Sequence, residues 1–130
     1  MNEAEEEFEP IWYPHEAGST VGKRGPEGGT VLADEELGDP DDPEDADARL
    51  TLERGADGFS VIANLYGGWL YVVAFSSDDE SARQTCEALR AELETLSAMI
   101  PMEGDRDVNG KVEALLAACA EAEARYGAAS

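Results

Sequence analysis

Asp105, Asp107, Asn109 and Gly110 stand at the spacing of the first half of a calcium loop. Such a loop places oxygen ligands at its positions 1, 3 and 5, glycine at 6, and at 12 a glutamate that supplies two oxygens at once. The stretch "GDRDVNGKVEALL" meets the pattern as far as Val112, the usual apolar position, and then fails, because Leu116 occupies the place of the glutamate. Pro101 and Gly104 also break the helix that would have to lead into the loop. A helix start accounts for the same residues. Val108, Val112, Leu115, Cys119, Ala122 and Tyr126 recur at helical spacing. Asp105 or Asp107 then serves as the N-cap, with the acids at the positive end of the helix dipole, and Gly127 ends the helix at its C′ position. Gly110 has no role in this reading and costs about 1 kcal/mol.

Other residues with chemical potential carry less. "GSTVGKR" has three residues between Gly18 and Gly22 and Arg24 after Lys23, whereas a phosphate loop needs four and then Ser or Thr. His15 is the only histidine, with Glu16 beside it. It cannot build a metal cluster, and composition alone reads it as a surface residue. "DPDDPEDAD", Asp39 to Asp47, lacks a glycine-centred spacing and reads as a solvated acidic loop. Cys86 and Cys119 lack the CxxC spacing and fall on core-facing helix positions, where a reduced thiol acts as a small apolar side chain. No nucleophile, base and orienting group stand out together, so the expected protein is non-catalytic, with no cofactor and no metal.

The chain has 130 residues, one domain by expectation, with 30 acidic and 9 basic residues and a net charge of −21. That charge repels the phosphate backbone and anionic membranes, so neither nucleic acid nor membrane is an expected partner. The acidic start "MNEAEEEFEP" lacks the basic and apolar regions of a secretory signal, and a cytoplasmic location is the expectation. The apolar fraction of 42% is that of a folded protein. The acidity itself reads first as a solubility device, and otherwise as a steering field for a basic partner or as nucleic-acid mimicry.

The elements that must position any site divide the single domain, residues 1–130, at about residue 48. Residues 1–47 carry a charge of −14 and are rich in Gly and Pro, a loop-dominated segment with two short strand-like pieces, "FEPIWYP" and "TVLAD". Residues 48–130 hold a meander over about 48–76 and then two helices. Reading Asp57-Gly58 and Gly67-Gly68 as two-residue turns pairs Leu52 with Ala63, Leu50 with Leu65, Asn64 with Tyr71 and Ile62 with Val73. One face of the meander is then aliphatic: Leu50, Leu52, Phe59, Val61, Ala63, Leu65, Leu70, Val72 and Ala74. The other is mixed and carries Ile62, Tyr66, Trp69, Tyr71 and Phe75. The first helix opens with a capping box at Ser77–Glu80, runs a stripe of Ala82, Cys86, Leu89, Leu93, Leu96 and Ile100, and stops at Pro101. Arg83/Glu87, Arg90/Glu94 and Glu87/Arg90 are its expected ion pairs.

The expected fold is therefore α+β: an antiparallel meander with additional N-terminal strands, and a C-terminal helical hairpin on the aliphatic face. The aromatic face, with Ile62, Tyr66, Trp69, Tyr71 and Phe75 as binding residues, is expected to be covered by residues 1–14, by a second copy in a homodimer, or by a protein partner. The function this implies is protein–protein interaction in an immunity-like, inhibitor or chaperone-like role. The alternative is a small enzyme or ligand-binding domain with a pocket at the aromatic face, where Asn64, Ser60 and Glu53 are the polar groups to hand. The helix-start reading also has a direct consequence. The melting temperature should be the same in millimolar calcium and in chelator, and a rise of several degrees with calcium would refute it.

Overall fold

Five antiparallel strands lie side by side in the order in which the chain makes them: β1 (Ile11–Pro14), β2 (Thr30–Gly38), β3 (Ala48–Arg54), β4 (Phe59–Leu65) and β5 (Leu70–Ser76). Two helices follow, α1 (Asp79–Ser97) and α2 (Val108–Tyr126). The structure, a computed structural model, describes residues 10–102 and 104–126. The class is α+β, with both helices packed on the sheet: α1 on β3, β4 and β5, and α2 on β5. The expected helix end at Gly127 and the start of the "FEPIWYP" strand lie outside the described residues. Residues 1–47 contribute two strands of the five, and β2 is nine residues long.

The faces follow from alternation. Leu50, Leu52, Val61, Ala63, Leu65, Leu70, Val72 and Ala74 are buried against Ala82, Leu89, Leu93 and Leu96 of α1 and Leu115, Cys119 and Ala122 of α2. The β4–β5 register matches the expected one, with Asn64 opposite Tyr71 and Ile62 opposite Val73. The β3–β4 register does not. Leu52 faces Val61 and Leu50 faces Ala63, because the connection is the four residues Gly55–Gly58, closed by the Gly55 amide donating to the Gly58 carbonyl at 2.7 Å. The slip is two residues, an even number, so every side chain stays on its expected face. The loop requires glycine at 58, where a Cβ would lie 2.6 Å from the Ser76 carbonyl oxygen.

The helix ends are set by carboxylates. Asp78, rather than Ser77, caps α1 by accepting from the Ser81 amide at 2.8 Å. Asp107 accepts from the Gly110 amide at 3.2 Å at the start of α2. Gly110 has a reason there, since a Cβ at that position would run into the Asp107 carboxylate. The charges of α1 are spent differently from expectation. Arg83 pairs with Asp79 at 3.1 Å, and Arg90 reaches Glu35 of β2 at 2.6 Å while keeping Glu87 at 3.7 Å. Glu94 accepts from the Trp12 indole at 2.8 Å, and Arg90 lies over that ring. These contacts tie the edge strand β1 to α1.

Leu93 is fully buried and Leu116 is 51% exposed, although both are leucines on helices of equal length. Leu93→Ala should cost about 2–5 kcal/mol. Leu116→Ala should stay within about 0.5 kcal/mol of the parent. Denaturant melts of the two variants check this, and equal losses would mean that α2 is buried on a different side.

Candidate functional site

The second face of the sheet begins with side chains that β-pairing forces together. Glu36 lies opposite Arg49 and Asp34 opposite Thr51, so β2 and β3 place two acids, a base and a hydroxyl side by side. Asp34 is 3% exposed and its carboxylate is saturated. Arg49 donates to it twice, from Nε at 2.8 Å and Nη2 at 2.6 Å, and the hydroxyls of Thr20 and Thr51 donate at 2.9 and 3.0 Å. Burial alone would raise the carboxyl's pKa, but the bonds from Arg49, Thr20 and Thr51 outweigh it and hold it below the usual carboxylate range.

Glu53 is 1% exposed and is satisfied by backbone instead. It accepts from the amides of Glu27 and Gly29 at 2.9 and 2.8 Å. These bonds show what covers this face. Residues 15–29 leave β1, turn through Glu16 and Ala17 with left-handed backbone (φ of 50° and 60°), and lie across β2 and β3. Val31 and Ile62 are buried on this face, apart from the helix-side core. The expected cover by residues 1–14 is corrected for residues 11–14. Residues 11–14 form a strand at the sheet edge, the next fifteen residues make the cover, and residues 1–9 lie outside the described residues.

The five side chains expected to form one aromatic patch separate into four environments. Ile62 is buried. Tyr66 is half-buried and donates to Glu36 at 2.8 Å, and burial followed by that carboxylate pushes its phenol pKa upward. Trp69 sits in the turn between β4 and β5 and packs against the helix-side core, because the turn spans Tyr66 to Trp69 rather than two residues. Tyr71 and Phe75 alone remain exposed, at 48% and 45%, on the outermost strand. The Tyr71 hydroxyl donates to Glu27 at 2.7 Å.

His15 is not the surface residue expected. Its side chain is 15% exposed, with Nδ1 3.2 Å from Glu36 and Nε2 3.5 Å from Glu16. Composition could not show this, since only the pairing of Tyr13 with Glu36 brings His15 to that carboxylate. Among the described residues no hydroxyl or thiol is hydrogen-bonded to His15. Both cysteines are free, and burial pushes the Cys86 thiol up to about 11, away from reactivity. Among the described residues no group of three or more His, Cys, Asp or Glu is arranged to hold a metal.

A cavity opens just beyond Glu36, where β2 ends at Leu37 and Gly38. It is an open cleft of about 890 Å³ between the Asp39–Asp47 connection and the end of α1, floored by Leu37 and Ile100 and walled by Asp39, Asp42, Asp45 and Glu94. Asp47 there is engaged by the Ser97 hydroxyl at 2.6 Å. No helix of the described residues is long and apolar enough to cross a membrane. Comparison with protein-family models, curated proteins and solved structures finds no match for this chain.

The Asp34–Arg49 pair carries a testable consequence. Arg49→Met leaves a buried carboxylate without its cation, and the expected loss is about 3–5 kcal/mol at neutral pH. In the parent the depressed Asp34 pKa stabilises the fold above about pH 4, and that contribution disappears as pH falls through the folded-state value. The gap between parent and variant should therefore narrow in acid. A gap that is constant from pH 7 to pH 3 would show that the pair carries no such linkage.

Proposed function

We propose that the protein is non-catalytic and acts by binding a basic protein partner. The observation that carries this reading is the distribution of exposed apolar side chains. Of the seven large ones among the described residues, four belong to β5 and α2 and flank one edge of the sheet: Tyr71 and Phe75 on its second face, Val108 and Leu116 on the helix that covers its first. Apolar surface gathered in this way marks a contact site. The net charge of −21 selects the partner's sign and would speed its approach.

The alternative of a ligand pocket on the aromatic face has less support. Residues 15–29 lie on much of that face, and its buried acids are spent on Arg49, threonine hydroxyls and backbone amides. Immunity-like, inhibitor and chaperone-like roles all fit a protein that works by contact alone.

Tagged protein cross-linked in the cells that make it should capture basic proteins. Capture should fall with added salt and should be lost when Tyr71 and Phe75 are both changed to alanine. Captured proteins that are acidic, or that do not depend on those two rings, would refute the reading.

A further inference from the structure

Resting on the basic-partner reading, we infer that the partner enters as one extended strand added to the free edge of β5, beneath the overhang of α2. Among the described residues nothing pairs with this edge. No described backbone hydrogen bond leaves β5 other than to β4. Its sequence, LYVVAFS, has no charge and no proline, the devices that normally keep an edge from pairing. The opposite edge, β1, is only four residues long and ends in Pro14.

The helix layer is built one strand too wide. α1 is centred on β4 and touches β3 and β5, whereas α2 meets the sheet at β5. Packed helices stand about 10 Å apart, or roughly two strand spacings of about 4.8 Å. Two spacings beyond β4 is the line a sixth strand would follow. The rotation of α2 agrees. Arg125 reaches Glu92 of α1 at 2.8 Å, which fixes the side of α2 that faces α1. Leu116 lies nine residues earlier, and at roughly 100° per residue it points about 180° away from Arg125. Val112, four residues before Leu116, and Glu123, seven after it, lie toward that outward side at helical spacing.

The vacancy also selects its occupant. A second copy paired through its own β5 would bring a second α2 over the adjacent strand, about 4.8 Å away, where helices need 8–10 Å. A single strand has no such conflict. Its residues on the helix side would meet Leu116 and Val112 and must be apolar. Its alternate residues would meet the exposed rings of Tyr71 and Phe75 beside Glu27, an environment suited to Lys or Arg. Such strand addition takes affinity from main-chain bonds and specificity from alternate side chains.

The probe is a synthetic peptide of about ten residues alternating valine and lysine. It should bind one to one, slow amide exchange within residues 70–76, and lose affinity about tenfold or more when its backbone is N-methylated at alternate residues. Leu116→Asp should weaken it similarly while leaving the fold intact, and a valine–glutamate peptide should not bind. Unchanged exchange in residues 70–76, indifference to Leu116→Asp, or a chain already dimeric through this edge would each overturn strand addition. The basic-partner reading would still stand if capture in cells depended on Tyr71 and Phe75, so the two can fail separately.

Discussion

A carboxylate inside a protein must be given a cation or a full set of donors, and in this chain Asp34 receives both. Its three partners come from two separate pieces of sequence: Thr20 from the covering segment, and Arg49 and Thr51 from the neighbouring strand. One buried group therefore fixes the pairing of β2 with β3 and the path of residues 15–29 above them. Glu53 completes the arrangement from the other side by taking two backbone amides of the same segment. The second face of the sheet is thus organised by polar satisfaction, while the first is organised by aliphatic burial.

That contrast explains which parts of the fold were legible in the sequence. Alternation over residues 48–76 reports which face a side chain occupies, and Leu50, Val61 and Val72 lie where it puts them. It does not report register, so an even slip at the β3–β4 turn left no trace in the pattern. Helical periodicity marked α1 and α2, but the choice between Ser77 and Asp78 as cap depends on which side-chain oxygen reaches the Ser81 amide. The covering segment has no periodicity at all, being glycine-rich and held by individual bonds. Its path therefore left no mark in the pattern: it goes with a buried Ile62 and a Tyr66 engaged by Glu36, but it meets Tyr71 only through the Glu27 carboxylate and leaves the rings of Tyr71 and Phe75, expected to be covered, exposed.

The acidity also separates into two populations. Asp34, Glu53 and Glu36 are held by β2 and β3 and have assigned partners within the fold. Asp39, Asp42 and Asp45 belong to the connection between β2 and β3 and form the wall of an open cleft. A uniform excess of acid in the composition thus serves structure at one place and sets the surface field at another.

The sequential order of the strands bears on how the chain is made. Each strand pairs with the one just before it, so the sheet can be complete once residue 76 has left the ribosome. The helices that bury its aliphatic face are encoded afterwards, beginning at Asp79. At about 5–20 residues per second, that face waits a few seconds for α1 and α2. During the wait the nascent chain presents a sticky surface to its neighbours on the same message. The first 47 residues, already emerged and carrying a charge of −14, give neighbouring nascent chains a mutual repulsion during that interval.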